Sequence, residues 1–351
     1  MLAGRVARPA EPVRRYLLAL MERPSDSETE IDVAVIGAGP VGLACALEAQ
    51  RAGLTTVVVE KGALVNSIIG YPHQMEFFST PELLEIGAHP FPTAHYKPRR
   101  EDGLDYYRRV AQAEALPLRL YERVTSLTGT RGDFHLHTDR PDRPPLRARY
   151  VVVATGFFDV PNRLGIPGED LPHVSAYYHE PYRHVGQRGL VIGAKNSAAK
   201  AALALARAGA DVTLIVRAAA LSDSVKYWIR PDLLNRIAEG RIGALYDTCL
   251  TAIRPGEADL RTPAGPRTVP ADFIYALIGY QPDYALLAAL GVPLNPLDPA
   301  APPAFNPATQ ETPRPGLYVA GTICGGRATS RWFIENGRHH AQLIAAHVAG
   351  Q

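Results

Sequence analysis

A chain of 351 residues, 46% apolar and 21% charged, is longer than one hydrophobic core ordinarily serves; it predicts two or three folded domains and excludes disordered and collagen-like classes. The net charge of +2, from 37 Lys+Arg against 35 Asp+Glu, offers no global attraction to nucleic acid or acidic lipid, and no apolar run approaches the ~20 residues a bilayer requires. Three widely spaced cysteines, Cys45, Cys249 and Cys324, contain no C-x-x-C pair, which argues against a zinc site or disulfide framework and for a reduced, cytoplasmic protein.

The N-terminus carries Arg14-Arg15 before a short apolar stretch, Tyr16 to Leu20, which falls below the roughly seven to fifteen residues of a secretory core. Residues 1–29 read as a flexible extension; a translation start at Met21 is the alternative. Ile31 to Ile36 then reads as a buried strand, followed by Gly37-Ala38-Gly39-Pro40-Val41-Gly42, a helical segment to Gly53, and a second strand Thr55–Val59 ending in Glu60. In this order the three glycines have mechanical reasons. Gly37 makes the tight turn, Gly39 lets backbone approach a pyrophosphate, and Gly42 lets the helix pack on the strand. The pyrophosphate would sit at the helix N-terminus, and Glu60 would accept hydrogen bonds from a ribose.

A second unit repeats this register. Gly189 to Ile192 is a strand, Gly193-Ala194-Lys195-Asn196-Ser197-Ala198 the turn, Ala199 to Ala208 a helix, and Asp211–Val216 a strand ending in Arg217. An arginine where the first unit has an acid favours a 2′-phosphate, so this nucleotide is expected to be NADPH rather than NADH. Lys195, one of only five lysines, replaces the middle glycine and is aimed at phosphate; a solvated cap residue is the alternative. Ser222 and Lys226 are placed with Arg217 around the 2′-phosphate, with Trp228 as a wall; here the alternative is a solvated loop with one packed tryptophan.

Strands are also expected over Tyr150–Gly156, Asp272–Tyr280 and Gly316–Gly321, before a closing helix bearing Phe333, Ile334, Gln342, Leu343 and Ala346. The stretch Leu290–Pro315, with eight prolines in 26 residues, reads as a return linker. The expected fold class is therefore α/β, with two Rossmann-like dinucleotide-binding domains and the second inserted into the first. Residues 30–165 plus 295–351 would form one domain and 167–290 the other. His73, His95, His179 and His184 show no metal spacing, and no metal site is expected.

The arrangement resembles the thioredoxin reductase-like flavoproteins and, more closely, the bacillithiol disulfide reductase group. The resemblance covers nearly the whole chain after residue 30. The matching strings are Ser67–Pro72, Phe77–Thr80, Lys97–Arg100, Gly193–Ala198, Ile278–Asp283 and Phe333–Arg338. It implies FAD in the first domain and NADPH in the inserted one. Flavin contacts would come from Gly37, Gly39, Pro40, Val41, Gly42, Glu60, Lys61, Tyr71, His73, Val124, Ala154, Thr155, Gly156, Gly321, Thr322, Thr329 and Ser330. NADPH contacts would come from Gly193, Lys195, Asn196, Ser197, Ala198, Arg217, Ser222, Lys226 and Gly279. The resemblance implies a small-molecule disulfide or small carrier protein as partner, and a homo-oligomer.

Three departures stand out. The inserted domain opens with Tyr177-Tyr178-His179-Glu180-Pro181 and holds no cysteine pair. The cysteine that the group carries inside its first glycine turn is Val41 here, and the late flavin motif reads Gly321-Thr322 in place of Gly-Asp. Cys324, near the expected flavin ring, is the remaining candidate redox thiol, with a structural role as the alternative; Cys45 and Cys249 read as packing residues. The leading expectation is an NADPH-dependent flavoprotein reductase acting on a low-molecular-weight disulfide such as bacillithiol disulfide. The alternative is a ferredoxin- or flavodoxin-type electron-transfer reductase, with Lys97, Arg99 and Arg100 as its docking cations. A flavin monooxygenase lacks its usual linker signature here, and a non-enzymatic flavin sensor is the remaining reading.

Overall fold

A computed structural model describes residues 31–298 and 300–351; the expected extension over residues 1–29 lies outside the described residues. The chain divides into two compact units. Of the described residues, one holds 31–69, Met75–Val160 and those from Gln281 to Gln351; the other holds Gly70–Gln74 and Pro161–Tyr280.

In the first unit, β1 (Ile31–Ile36) pairs in parallel with β2 (Thr56–Val59) on one side and β6 (Leu146–Val153) on the other. A strand flanked in this way is covered on both faces and needs a continuous apolar run, which Ile31-Asp32-Val33-Ala34-Val35-Ile36 supplies. β3 (Leu118–Arg119) extends the sheet in parallel beyond β2, while β4 (Val124–Thr130) and β5 (Asp133–Thr138) form an antiparallel hairpin on β6. β6 is long enough to pair with β5 at its start and with β17 (Leu317–Val319) at its end. The first helix, Pro40–Arg51, buries Val41, Gly42, Leu43, Ala44, Cys45, Ala46, Leu47 and Ala49, and Gly53 at φ +79° follows its end.

In the second unit, β9 (Arg188–Ile192), β10 (Asp211–Ile215), β11 (Gly243–Leu245), β15 (Phe273–Ala276) and β8 (Val174–Ser175) form an all-parallel sheet. Alternation decides its two faces. Val191, Val212 and Leu214 pack under the alanine-rich helix Asn196–Ala208, whereas Leu190, Ile192 and Ile215 meet the antiparallel sheet of β12 (Cys249–Arg254), β13 (Gly256–Thr262) and β14 (Gly265–Ala271). That helix stops at Gly209, whose φ of +100° only glycine adopts cheaply.

Several expected boundaries move. The chain rejoins the first unit at Gln281, not near residue 295, because the helix Tyr284–Ala289 and the turn after it insert Leu287, Leu290 and Val292 into the core shared by β1, β6 and β17. Gly70–Gln74 groups with the second unit, where His73 N–H donates to His179 O (2.9 Å) and Gln74 to the Tyr182 hydroxyl (3.1 Å). The strand expected over Asp272–Tyr280 ends at Ala276. The single closing helix is two, Ile334–Gly337 and His340–Ala349, with Phe333 and Leu343 exposed.

Candidate functional site

The carboxyl ends of three adjacent parallel strands converge in the first unit, where open α/β sheets bind their ligands. Gly37 N–H donates to Val59 O and Ala154 N–H to Ile36 O, while Ala320 N–H donates to Val153 O. The turns Gly37–Gly39, Ala154–Gly156 and Gly321–Thr322 are thereby lined up. A Cβ on Gly37, at φ +108°, would stand 2.7 Å from Ala154 O, and one on Gly42 would stand 1.9 Å from Gly37 O. Gly39 differs: a Cβ there would meet nothing within 4 Å. The helix that starts at Pro40 has no side-chain cap, so the N–H groups of Val41 and Gly42 lack an intrahelical partner. Open backbone at a positive helix end is the cradle a pyrophosphate fits.

Glu60 is buried at the end of β2, with Oε2 accepting from Ala38 N–H (2.8 Å) and Oε1 from Gly62 N–H (2.9 Å). Burial raises its pKa, and the two backbone hydrogen bonds oppose that rise. Glu122 N–H donates to Glu60 O, which carries the start of β4 alongside. The Val124 side chain belongs to the hydrophobic core, so the expected contact at that position is left to its backbone. Lys61 is engaged by Asp159 at 2.7 Å. Thr322 Oγ1 lies 3.7 Å from where a Gly156 Cβ would be, and Val41 packs against Gly321 and Gly337. Thr329 and Ser330 lie in the turn between Gly325 and Ile334. Tyr71 and His73, expected beside the flavin, group with the second unit.

The second unit gathers its expected residues around the N-terminus of the helix Asn196–Ala208. A Cβ on Gly193 would stand 2.6 Å from Leu277 O, the counterpart of Gly37 against Ala154. Asn196 clamps the loop after β10, its Nδ2 donating to Ser224 O (3.0 Å) and its Oδ1 accepting from Lys226 N–H (2.9 Å). Ser222 N–H donates to Ala194 O. Ser197 is exposed and Ala198 buried under the turn. Lys195 and Arg217 are exposed, without a protein ion pair among the described residues, while the Lys226 ammonium lies 5.8 Å from the Trp228 ring. Gly279, at φ +95°, is held by Asn162, whose Nδ2 donates to Ile278 O (3.1 Å) and whose backbone N–H donates to Gly279 O (3.0 Å). Sequence reasoning missed Asn162; its only signal is its place one residue after Pro161.

Comparison with known proteins fixes the family. A family model described as pyridine nucleotide-disulphide oxidoreductase matches residues 34–321. The chain belongs to that family. It is 38% identical over 319 residues to the bacilliredoxin reductase Bdr of Bacillus subtilis (strain 168), covering 90% of this chain and 96% of that one. The solved bacillithiol disulfide reductase Bdr (YpdA) from Bacillus cereus superposes with a TM-score of 0.88 at 35% identity, covering 92% and 99% of the two chains. A ferredoxin–NADP reductase of Paraburkholderia phymatum is more distant, 26% identical over 91% of this chain and 88% of its own. The protein is a flavin- and pyridine nucleotide-dependent oxidoreductase with the two-domain α/β fold that its sequence predicts. Among the described residues no helix is long and apolar enough to cross a membrane.

Parts of four of the strings that carry the family likeness make close contacts within the first unit. Arg100 donates to Ile68 O (3.2 Å) and Ile69 O (2.7 Å), so it is a brace and not the free docking cation expected of it. Ser79 Oγ donates to Glu335 (2.5 Å), and Arg338 reaches Glu82 O and Glu85 O. The thiols are equally clear. Cys324 is 1% exposed, its Sγ 3.8 Å from Gln310 Oε1, and burial raises its pKa far above neutrality, with Cys45 adding to the rise. Burial that disfavours the thiolate disfavours a nucleophile, which supports the structural alternative for Cys324. Cys45 is also buried, with its pKa pushed up to about 12 by burial and by Glu48.

Proposed function

We propose that the chain is an FAD-dependent NADPH oxidoreductase whose electrons pass to a low-molecular-weight thiol disulfide of the bacillithiol disulfide type. The likeness to the two Bdr proteins over nine-tenths of the chain supports the acceptor class. One observation carries the coenzyme choice: Arg217 stands exposed at the end of β10, where Glu60 stands buried in the first unit. An arginine there accommodates a 2′-phosphate, and an acid accepts from a free ribose hydroxyl. The flavin supplies the hydride and electron chemistry when bound. The chain would supply the rest: Gly39 and the N-terminus of the helix Pro40–Arg51 would hold the pyrophosphate, Glu60 would orient the ribose, and Thr322 and Gly156 would add further flavin contacts. Lys195, Arg217, Ser222, Lys226 and the helix at Asn196 hold the phosphates of NADPH.

Val41 favours a second reading. With valine in the first turn and Cys45 and Cys324 both buried, no thiol of the first unit is set up to attack a disulfide. An electron-transfer reductase serving a ferredoxin or flavodoxin needs none. The test is anaerobic reduction of the yellow protein by NADPH, then mixing with bacillithiol disulfide, other disulfides, ferredoxin, flavodoxin and quinone. Fast reoxidation by the disulfide supports the proposal; reoxidation by the carrier proteins alone moves the function to the second reading.

A further inference from the structure

The Gly321–Thr322 turn is where late chain meets the first glycine turn. Gly321 takes φ +76°, and a Cβ on it would lie 3.3 Å from Cβ and both Cγ atoms of Val41. A Cβ on Gly337 would in turn lie 3.3 Å from Gly321 Cα. Val41 and Gly337 therefore both pack closely on Gly321. Its N–H opens the 3-10 segment Gly321–Gly325, so it has no partner within that segment. That N–H donates instead to His340 Nδ1 at 3.1 Å.

His340 is built for this contact. It is 3% exposed and begins the helix His340–Ala349, which packs on the helix Pro40–Arg51. Trp332 meets its ring edge-on at 4.4 Å between centroids, and Cys324 Sγ lies 3.9 Å from Nδ1. Acceptance at Nδ1 places the proton on Nε2, which is buried without a partner among the described residues. An orphaned buried donor is destabilising, so this tautomer persists because Gly321 requires an acceptor on the other nitrogen.

We propose that His340 is a positioning residue, whose Nδ1 holds the Gly321–Thr322 turn in the conformation that the flavin site requires. The role rests on the reading that the first glycine turn carries the flavin. His340 touches neither flavin nor substrate; it acts through the backbone of Gly321. Neutral imidazole is the form that accepts, and burial, with His339 contributing, pushes the His340 pKa down to about 4.

Two substitutions separate hydrogen bonding from bulk. His340→Asn keeps an acceptor, Oδ1, on the same branch as Nδ1 and loses ring volume. His340→Leu keeps most of the bulk and loses the acceptor. The readouts are flavin per chain, the rate of flavin release followed by fluorescence, and the flavin midpoint potential. His340→Leu is expected to release flavin about tenfold faster, as the loss of one buried hydrogen bond implies, and to shift the potential. His340→Asn is expected to stay near wild type in both. A His340→Leu protein indistinguishable from wild type, or a His340→Asn protein as impaired as His340→Leu, overturns the role. If His340→Leu does not fold, the Asn variant decides alone: retained flavin and potential support the role, and release about tenfold faster overturns it. Wild-type protein that binds no supplied FAD overturns the reading of the first turn and this role with it.

Discussion

The two glycine turns of this chain share one skeleton and differ in what they leave open. Gly37 and Gly193 face the same constraint, the carbonyl at the end of the neighbouring parallel strand, Ala154 O in one case and Leu277 O in the other. At the middle position the first turn has Gly39 against empty space, and the second has the exposed Lys195. At the strand end the first has the buried, doubly hydrogen-bonded Glu60, and the second has the exposed Arg217. One turn offers a ligand open backbone and a desolvated acid, the other cations on a solvated surface. The first suits a nucleotide that stays, the second one that comes and goes.

Substitution at the glycines gives the largest expected contrast. Gly42→Ala forces a methyl to 1.9 Å from Gly37 O, and overpacking of that severity is expected to cost ~3 kcal/mol or more and deplete folded protein. Gly39→Ala meets no protein atom, so its melting temperature without flavin should match wild type while its flavin content falls. Equal flavin content in the two proteins would remove Gly39 from the site. Next comes Arg217→Ala, expected to raise KM for NADPH roughly ten- to 150-fold, the value of a charge-assisted hydrogen bond of ~1.5–3 kcal/mol, with little change for NADH. Equal changes for both coenzymes would reject the 2′-phosphate contact.

A pH titration probes the buried side of the comparison. His340 is held neutral in the folded state, with its pKa pushed down to about 4, while unfolded histidine titrates near 6.5. The unfolded state therefore gains the extra proton as pH falls, and stability from this group is present above about pH 6.5 and lost progressively toward pH 4. Melting temperatures should show this slope in wild type and a shallower one in His340→Asn. The smallest effect is expected at the thiols: Cys324→Ser should keep its flavin and its rate of flavin reduction by NADPH. Loss of disulfide turnover with fast flavin reduction would restore thiol chemistry.

Sequence legibility followed the locality of each signal. The strand–turn–helix units and the acid or arginine at fixed distance are local patterns, and Gly37, Gly42 and Gly193 do in the fold what their spacing requires. The clamp by Asn196 follows from its place at the helix start. What escaped was set by distant chain. His340 meets Gly321 across 19 residues and Ser79 meets Glu335 across 256, with no periodicity to announce either. Arg100 looked like a free cation because its carbonyl partners, Ile68 and Ile69, lie 31 to 32 residues earlier. Cys324 stayed a redox candidate in the sequence because glycines flank it, and the neighbours that the fold brings to its Sγ, Gln310 and His340, come from 14 and 16 residues away.

The central claim is that the first turn holds a flavin and the second delivers NADPH to it. Anaerobic stopped-flow reduction of the purified protein tests it most directly, with NADPH and NADH compared at equal concentration. The account predicts a yellow protein whose flavin absorbance bleaches rapidly with NADPH and at least about tenfold more slowly with NADH, the margin one lost charged contact implies. A colourless protein that takes up no FAD, or equal rates with the two coenzymes, would contradict it.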